Sequence, residues 1–247
     1  MIRGLYTAAT GMTVQRNKMD VVTNNIANVE TSGFKKDTLV SSAFDKVMLQ
    51  RINDDPNLMV VGPYSFGAHV QQVVTDFGAG SLESTGVPTD LALEGDAFFA
   101  VETPAGERYT RAGNFSVNAE GYLVTVDGNY VRSETGRVFV GTDEFGVATD
   151  GTVTAGGTPI GRLRVVSFAD NAGLRKQGDN LYTGTPAAQT NAFAVRQGFQ
   201  EASNVNAADE MVNMMTIYRK YEADQKILTM TDETLGMAVN KLGRLGG

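Results

Sequence analysis

The sequence predicts an α+β fold in which long N- and C-terminal helices pair as a coiled coil, with an antiparallel all-β domain inserted between them. Two observations support this fold class. Apolar residues repeat every seven positions near both ends of the 247-residue chain, and this period of 3.5 residues is typical of a coiled coil. The middle of the chain instead contains short alternating runs separated by turn residues, which indicate antiparallel strands.

The N-terminal helix is predicted over residues 4–28. Its apolar seam consists of residues spaced by seven, and a second set follows each member three positions later. Gln15 is the one polar residue of this seam. The first set is Leu5, Met12, Met19 and Ile26, and the second is Ala8, Gln15, Val22 and Val29.

The C-terminal helix is predicted over residues 207–243, about 54 Å of helix at 1.5 Å per residue. Asp224 interrupts its seam. Such stripes fit either core helices packed on the central domain or helices that pack on each other and on neighbouring copies. The strict seven-residue repeat over five heptads favours the second interpretation. The seam comprises Met214, Tyr221, Leu228, Leu235 and Leu242, accompanied by Ile217, Thr231 and Ala238.

Residues 68–200 are predicted to form a β-rich outer domain. The alternating runs are AFFAVET, ERYTRAG, NFSVN, YLVTVDGNYV, RVFVG and GRLRVVSF, and PAGE, NAEG and VDGN are turn signals. The Asp127-Gly128 pair predicts a type I′ hairpin. Residues 51–69 carry two prolines and little periodicity, which indicates a connector. The predicted organisation is therefore a helix over 1–34, a connector over 35–67, the β-rich domain, and a helix over 201–247.

Composition excludes several classes of function. Twenty-eight acidic residues against 21 basic ones give a net charge of −7, which argues against a nucleic-acid partner. The chain has no cysteine, so disulfides, thiolate metal sites and a catalytic thiol are excluded. The first twenty residues do not read as a secretory signal peptide, and no window approaches the length of a membrane span. We expect no membrane insertion, and any export to occur without a cleaved signal.

No catalytic residue, cofactor or metal site is predicted. His69 is the single histidine, and the acidic pairs Asp54-Asp55 and Asp143-Glu144 lack the spacing of a calcium loop. One enzyme pattern occurs, in the order of a penicillin-recognising serine hydrolase. That chemistry needs the serine on a buried helix, whereas Ser32 follows the end of a predicted helix, so a hydrolase is a remote alternative. The pattern consists of Ser32 to Lys35, Ser116 to Asn118 and Lys176 to Gly178.

Three stretches closely resemble the bacterial flagellar rod and hook proteins, and the resemblance covers nearly the whole chain. They are ANVETSGFKK, GDAFFAVETPAGERYTRAGNFSVNAEGYLVTVDG and QGFQEASNVNAADEMVNMMTIYRKYEADQKILTMTDETL. The family motifs fall on Ala27, Asn28, Thr31, Gly33, Phe34 and Lys35, then on Phe98, Phe99, Tyr109, Thr110, Arg111, Gly113, Phe115, Gly121, Leu123 and Val124, and finally on Glu201, Ser203, Asn204, Val205, Glu210 and Met211.

The resemblance implies a structural axial protein that passes through the flagellar type III export apparatus and polymerises in the periplasm. Its partners would be other copies and neighbouring axial rod proteins, with the terminal helices forming the inner tube around the export channel and the β domain outside. Hook protein is usually much longer, and distal-rod protein tends to have an extra segment after the first helix. A proximal-rod protein is therefore the favoured interpretation, with the distal-rod protein as the alternative.

The Asn-rich segments beside both helices are predicted to aim the helices at a fixed angle. Asn204 or Asn206 can cap the second helix, and Gly33 can adopt the left-handed conformation of a chain reversal. We expect Phe34 and Val205 to be buried anchors, and Lys35, Lys36 and Glu201 to form ion pairs between subunits. A stand-alone adhesin or closed coiled-coil oligomer is a further alternative, in which the β domain makes the partner contacts.

Overall fold

The computed structural model describes residues 2–51, 59–142, 145–168, 171–185, 188–189 and 193–244. The chain begins with helix α1 (Ile2–Ala27) and ends with helix α2 (Ala207–Arg244), with a short 3-10 turn at Asn171–Gly173. The strands between them are β1 (Asp37–Ala43), β2 (Val47–Arg51), β3 (Met59–Tyr64), β4 (Ala68–Thr75), β5 (Leu82–Ser84), β6 (Leu91–Glu94), β7 (Phe98–Thr103), β8 (Gly106–Thr110), β9 (Ser116–Val117), β10 (Leu123–Val124), β11 (Tyr130–Val131), β12 (Phe145–Val147), β13 (Thr152–Ala155), β14 (Thr158–Arg162), β15 (Val165–Ser167), β16 (Arg175–Lys176), β17 (Leu181–Thr183), β18 (Ala188–Gln189), β19 (Ala194–Gln197) and β20 (Phe199–Glu201).

This order confirms the α+β prediction, with a helix at each end of the chain and antiparallel strands between them. Both helices lie within two residues of their predicted bounds. Neither is long and apolar enough, over the described residues, to cross a membrane.

The first of two compact units contains the described parts of residues 1–26, 37–74 and 207–247. In this unit β1 pairs with β4, and β2 pairs with β3. The range predicted as a connector thus contains three strands, and the strand at the start of the predicted β domain belongs to this unit. Pro63 in β3 obscured the hairpin in the sequence. A proline, which has no N–H donor, is tolerated there because β2 and β3 form a two-stranded sheet with free edges.

The second unit contains residues 27–36 and the described parts of 75–206. Its main sheet runs in the order β16-β17-β8-β7-β11-β10-β9, and β15 pairs with both β7 and β18. Strand β7 is buried on both faces. Phe99 and Val101 belong to one apolar cluster together with Leu91, Leu123 and others. Phe98 and Ala100 belong to a second cluster on the other face, where Phe98 makes edge contacts with Phe77, Phe168 and Tyr182.

The turns partly follow the sequence signals. The PAGE turn joins β7 to β8, and the NAEG turn joins β9 to β10. The hairpin at Asp127-Gly128 joins β10 to β11, but the type I′ prediction is wrong because Gly128 has a positive φ and Asp127 does not. Asp179 and Asn180 instead have φ values of 48° and 53°, and they form the primed turn between β16 and β17.

Candidate assembly junction

The segment that follows α1 and the segment that precedes α2 are hydrogen-bonded to each other, and both belong to the second unit. The Gly33 amide donates to the Glu201 carbonyl oxygen at 2.7 Å, and the Asn204 amide donates to the Phe34 carbonyl oxygen at 3.4 Å. The Lys36 amide donates to Asn204 Oδ1 at 2.7 Å. We call residues 27–36 and 199–206 the junction. Its two halves come from opposite ends of the chain and form one structure.

Three charged side chains lie at the centre of the junction, and we call Lys35, Arg111 and Glu201 the ion cluster. Lys35 Nζ lies 2.6 Å from Glu201 Oε1, and Arg111 Nε lies 2.7 Å from Glu201 Oε2. None of the three side chains is more than 5% exposed. The Gly80 amide donates the third hydrogen bond of the carboxylate, to Glu201 Oε1 at 3.0 Å. Both oxygens of the Glu201 carboxylate therefore have donors in place of water.

The environment keeps the Glu201 carboxyl ionised. Burial by itself raises its pKa, but the charge of Arg111 and the hydrogen bond and charge of Lys35 outweigh burial, so the pKa lies below its usual 4.5. Burial is also the largest effect on Lys35 and lowers its pKa below the usual 10.5, although Glu201 opposes the shift. A buried carboxylate that accepts hydrogen bonds from two cations is stable as an anion.

Backbone carbonyl groups accept further hydrogen bonds from the two cations. Arg111 Nη1 donates to the carbonyl oxygens of Gly95 and Ala97, and Nη2 donates to that of Leu93 at 3.2 Å. Lys35 Nζ donates to the Gly78 carbonyl oxygen at 2.8 Å. Buried cations are costly unless every donor finds an acceptor. The hydrogen bonds of the Arg111 guanidinium offset this cost, and they link the junction to the loop between β6 and β7.

Two glycines allow the junction segments to approach the rest of the second unit. Gly33 has φ of +67°, and a Cβ atom there would lie 2.4 Å from the Ala112 backbone nitrogen. A Cβ atom on Gly80 would lie 1.9 Å from the Ala202 carbonyl oxygen. The left-handed conformation predicted for Gly33 is confirmed. Its lack of a side chain is needed for the contact as well as for the turn.

Asn204 and Phe34 complete the junction on either side of the ion cluster. Asn204 Nδ2 donates to the carbonyl oxygens of Asp76 at 2.9 Å and Gly78 at 3.2 Å. Phe34 is 3% exposed, and Lys176 Nζ lies 3.9 Å from the centre of its ring. Lys176 Nζ also donates to the Lys35 carbonyl oxygen at 2.8 Å. The amide of Asn204 therefore links both halves of the junction to the loop at residues 76–78.

The other predicted junction residues have local roles. Thr31 Oγ1 donates to Asn28 Oδ1 at 3.2 Å, within the turn that follows α1. Ser203 Oγ accepts a hydrogen bond from the Val205 amide at 3.3 Å, and Val205 is 8% exposed. These contacts stabilise the turn after α1 and the segment before α2.

A second polar cluster lies in the first unit, where α1 ends and α2 begins. Asn25 and Asp37 exchange two hydrogen bonds, from Asn25 Nδ2 to the Asp37 carbonyl oxygen at 2.8 Å and from the Asp37 amide to Asn25 Oδ1 at 3.0 Å. Asn25 Nδ2 also lies 3.3 Å from Glu210 Oε2. Asn25 and Glu210 are at most 1% exposed. A single buried amide thus links α1, β1 and the first turn of α2.

The predicted seam of α2 is its least exposed face. Every residue of 211–240 outside the seam is exposed. The Leu242 position lies beyond the part of the helix whose side chains the structure describes. The partly buried residues in this range are Met214, Ile217, Tyr221, Asp224, Leu228, Thr231, Leu235 and Ala238.

The face of α1 that contacts α2 is rotated by one residue from the predicted seam. Gly11 lies against the Asp224 carboxylate, and Asn25 contacts Glu210. These contacts are 14 residues apart on both helices and run in opposite directions, so α1 and α2 are antiparallel with a constant register. Ala8 and Val22 of the predicted seam are buried. Leu5, Met12, Met19 and Ile26 are only partly buried.

Comparison with known proteins decides the family. Matching family models are the flagella basal body rod protein over residues 5–35, the flagellar hook protein FlgE/F/G D1 domain over 92–155, and the flagellar basal body rod FlgEFG protein C-terminal region over 196–241. The chain is 35% identical to the flagellar basal-body rod protein FlgG of Bacillus subtilis, over 97% of this chain and 99% of that protein. The chain belongs to the flagellar basal-body rod protein family.

Two further relatives extend over the full length of the chain. The flagellar basal-body rod protein FlgF of Caulobacter vibrioides is 35% identical over 99% of this chain and 100% of that protein. The flagellar hook-basal body complex protein FlhO of Bacillus subtilis is 32% identical over 99% and 100%. The ion cluster takes Lys35, Arg111 and Glu201 from the three matched regions, one residue from each. The regions that define the rod family therefore meet at one carboxylate.

The structure corrects the ion pairs expected at the junction of this rod-family protein. Phe34 and Val205 are buried, as predicted. The prediction that Lys35 and Glu201 pair with other subunits is wrong, because the two side chains are buried against each other within one chain. Asn204 is not the cap of α2, since its side chain bonds to Lys36, Asp76 and Gly78. Asn206 directly precedes the helix.

The serine hydrolase pattern is not assembled as a catalytic site. Ser32 Oγ donates to Gln200 Oε1, whereas the Lys35 amine is held by Glu201 and Gly78. Asn118 Oδ1 accepts hydrogen bonds from the amides of its own turn. The lysine that would activate the serine is thus a buried cation. The relatives that cover the whole chain carry the names of structural rod proteins.

The other candidates for chemistry have structural roles or lie outside the described residues. His69 Nε2 is 3.3 Å from Ser42 Oγ, and its ring stacks on Phe44. Asp54-Asp55 and Asp143-Glu144 lie outside the described residues. Over the part of the chain that the structure describes, no group of three metal-ligating side chains could hold a metal ion.

Sequence reasoning missed three residues of the junction region. Arg111, Asn25 and Glu210 were given no role of their own, although Arg111 and Glu210 lie in family motifs. A useful signal was available for Arg111, because an arginine within a buried run such as YTRAG needs a buried anion. The sequence does not identify Glu201 as the partner of Arg111, because the two residues are ninety positions apart in the chain.

We predict that Glu201→Gln destabilises the protein by about 3–5 kcal/mol, because it leaves two buried cations without their anion. Chemical denaturation of the two proteins measures this difference. Glu94→Gln is the matched control, since Glu94 pairs with Arg196 in a contact where both side chains are about half exposed. It should cost less than about 1 kcal/mol. Equal effects of the two substitutions would contradict the importance of the ion cluster.

We predict that the ion cluster loses stability in acid. The folded pKa of Glu201 is below its usual 4.5, so the unfolded chain binds the proton more readily. The contribution is complete above pH 4.5 and decreases as the pH falls through the folded pKa. The difference in unfolding free energy between wild type and Glu201→Gln should therefore shrink with acidification. A difference that is constant or grows over this range would count against an ionised Glu201.

We predict that Gly33→Ala costs more than Gly128→Ala. Both glycines have positive φ, +67° and +81°, so both substitutions cost about 1–2 kcal/mol for the left-handed backbone. A Cβ at Gly128 meets nothing within 4 Å, whereas one at Gly33 meets the Ala112 backbone. The difference in melting temperature between the two variants measures the cost of the steric clash at Gly33. Equal melting temperatures would show that the close approach at Gly33 has no energetic consequence.

Proposed function

We propose that this chain is a structural subunit of the proximal rod, which polymerises helically into the axial tube that transmits torque and encloses the export channel. The proposal includes paired terminal helices at the centre of the assembly. Its partners are other copies and neighbouring axial rod proteins. It reaches the periplasmic rod through the flagellar type III export apparatus.

The observation that carries this proposal is the pattern of exposed apolar residues on α2. Between residues 211 and 240, where the structure describes the side chains, only the seam is partly covered, and large apolar side chains remain exposed on both sides of it. Met211, Met215 and Tyr218 lie on one side in the first half of the helix, each more than half exposed. Ile227, Met230 and Met237 lie on the other side in the second half, at 49%, 65% and 57% exposed. Exposed apolar surfaces of this extent indicate contacts with other proteins.

The arrangement of these residues favours an open helical polymer over a closed oligomer. Two apolar sides that point in different directions need two different neighbours. A contact of this kind joins unlike surfaces, and it builds a filament when the rotation between copies does not close. This is the observation against the stand-alone adhesin or closed coiled-coil oligomer, for which the β domain would make the contacts.

The length of the chain favours the proximal over the distal rod. Relatives named FlgG and FlgF both match at 35% identity. The alignment with the FlgF relative spans 252 positions, whereas those with FlgG relatives span between 255 and 273. This chain has 247 residues, so it lacks residues that these FlgG proteins contain. The distal-rod protein is the alternative, a hook-type subunit is a weaker one, and a serine hydrolase is a remote one.

Hydrogen exchange on the isolated subunit and on the assembled polymer tests the role of the helices. We expect residues 4–28 and 207–243 to gain protection on assembly, because isolated amphipathic helices are marginal in water and packing stabilises them. The buried core of β7 should be equally protected in both states and serves as the internal control. Helices that are fully protected in the isolated subunit would contradict their proposed role.

We further predict that Met215→Glu blocks assembly without destabilising the subunit. Met215 is 56% exposed, and substitutions at exposed positions usually change stability by less than about 0.5 kcal/mol. Sedimentation measures assembly, and thermal unfolding measures stability. Lys226→Glu is the control, since Lys226 is an exposed polar position of the same helix. Normal assembly of Met215→Glu would remove this side of α2 from the proposed contacts.

A further inference from the structure

Helix α2 extends beyond the start of α1. The contacts of Gly11 with Asp224 and of Asn25 with Glu210 fix the antiparallel register. Continued to the start of α1, this register places Ile2 opposite residue 233. Helix α2 continues to Arg244, so residues 234–244 form an overhang of about 16 Å at 1.5 Å per residue. We call these residues the α2 overhang.

The α2 overhang has the chemistry of a docking element. Met237 and Val239 are 57% and 67% exposed, which leaves apolar side chains in water. The sequence of the α2 overhang contains two basic residues, Lys241 and Arg244, and no acidic residue. The sequence of the α2 overhang is therefore apolar and basic in a chain whose net charge is −7.

A matching groove lies at the beginning of α1 within the same unit. It has a volume of about 600 Å³ and is lined by Arg3, Tyr6, Phe44, Asp45 and Phe66. We call this the aromatic groove. Tyr6 is 50% exposed, and Asp45 is also exposed. Aromatic side chains are enriched in protein interfaces because they bury large areas at low entropic cost.

We propose that the α2 overhang of a second copy binds in the aromatic groove. The apolar side chains of the overhang match the aromatic lining. The lining also holds one anion, Asp45, and one cation, Arg3, and we assign Asp45 as the partner of the basic residues of the overhang. The chain's own overhang is excluded, because α2 is one continuous helix whose last residues run away from Tyr6. The contact joins unlike surfaces, so every copy offers one free overhang and one free groove. This inference rests on the proposed assembly of the rod and specifies one of its contacts.

Cysteine cross-linking tests this contact directly, and the absence of native cysteine gives a clean background. Under assembly conditions, a mixture of the Tyr6→Cys and Met237→Cys variants should form a disulfide-linked dimer upon oxidation. The double variant should form a ladder of linear multimers. Tyr218→Cys replaces Met237→Cys in the matched control, since Tyr218 is a similarly exposed position near the other end of α2. Its mixture with Tyr6→Cys should form several-fold less dimer.

A charge reversal tests the specificity of the contact. Asp45→Lys should lower the cross-linking yield, and Lys241→Glu combined with Arg244→Glu should lower it similarly. Combining the two reversals in one assembly should restore part of the yield. Failure of the combination to recover any yield would contradict the charge complementarity.

The outcomes separate this inference from the proposed function. If the wild-type protein assembles but Tyr6→Cys cross-links to Tyr218→Cys as well as to Met237→Cys, the groove contact is wrong and the rod assembly stands. A double variant that yields only intramolecular disulfides also overturns the contact. If neither the wild-type protein nor the variants assemble with themselves or with other rod proteins, the proposed function fails as well.

Discussion

The junction depends on one buried carboxylate. Glu201 accepts hydrogen bonds from Lys35, Arg111 and the Gly80 amide, and these donors come from three distant parts of the chain. A carboxylate out of contact with water must keep all of them, since losing one leaves a buried charge without compensation. The position of Glu201 therefore fixes the end of β20 relative to the segment after α1. Through its ion pair with Arg111, Glu201 also holds these two segments against the central sheet.

This constraint explains the glycines and the asparagine that lie around the ion cluster. Gly33 and Gly80 bring two backbones into contact where any side chain would collide with them. Asn204 then supplies hydrogen bonds to backbone groups that lie outside regular strands. Buried loop segments need such partners because their N–H and C=O groups have no ladder to join. The result is a junction whose two halves are held to each other within the second unit.

The sequence was most informative where a local pattern determines structure. The seven-residue repeat defined both helices and the covered face of α2, because a helix buries residues that recur at its own period. The seam of α1 was less well predicted. Gly11 packs against Asp224 and Asn25 forms a hydrogen bond with Glu210, and a search for apolar periodicity does not detect a glycine or an asparagine. Strands β2 and β3 were missed because a two-stranded hairpin containing a proline shows no regular alternation.

The ion cluster could not be derived from local patterns. Lys35 and Glu201 are 166 residues apart, and both appear in polar segments that suggest a solvated surface. Their burial follows from the contacts of Gly33 and Gly80, which only the three-dimensional structure shows. A double-mutant cycle with Lys35→Met, Glu201→Met and the combined variant tests the central claim most directly. Buried partners should be coupled by about 2 kcal/mol or more in unfolding free energy, whereas additive effects would contradict the role of Glu201 in holding the junction together.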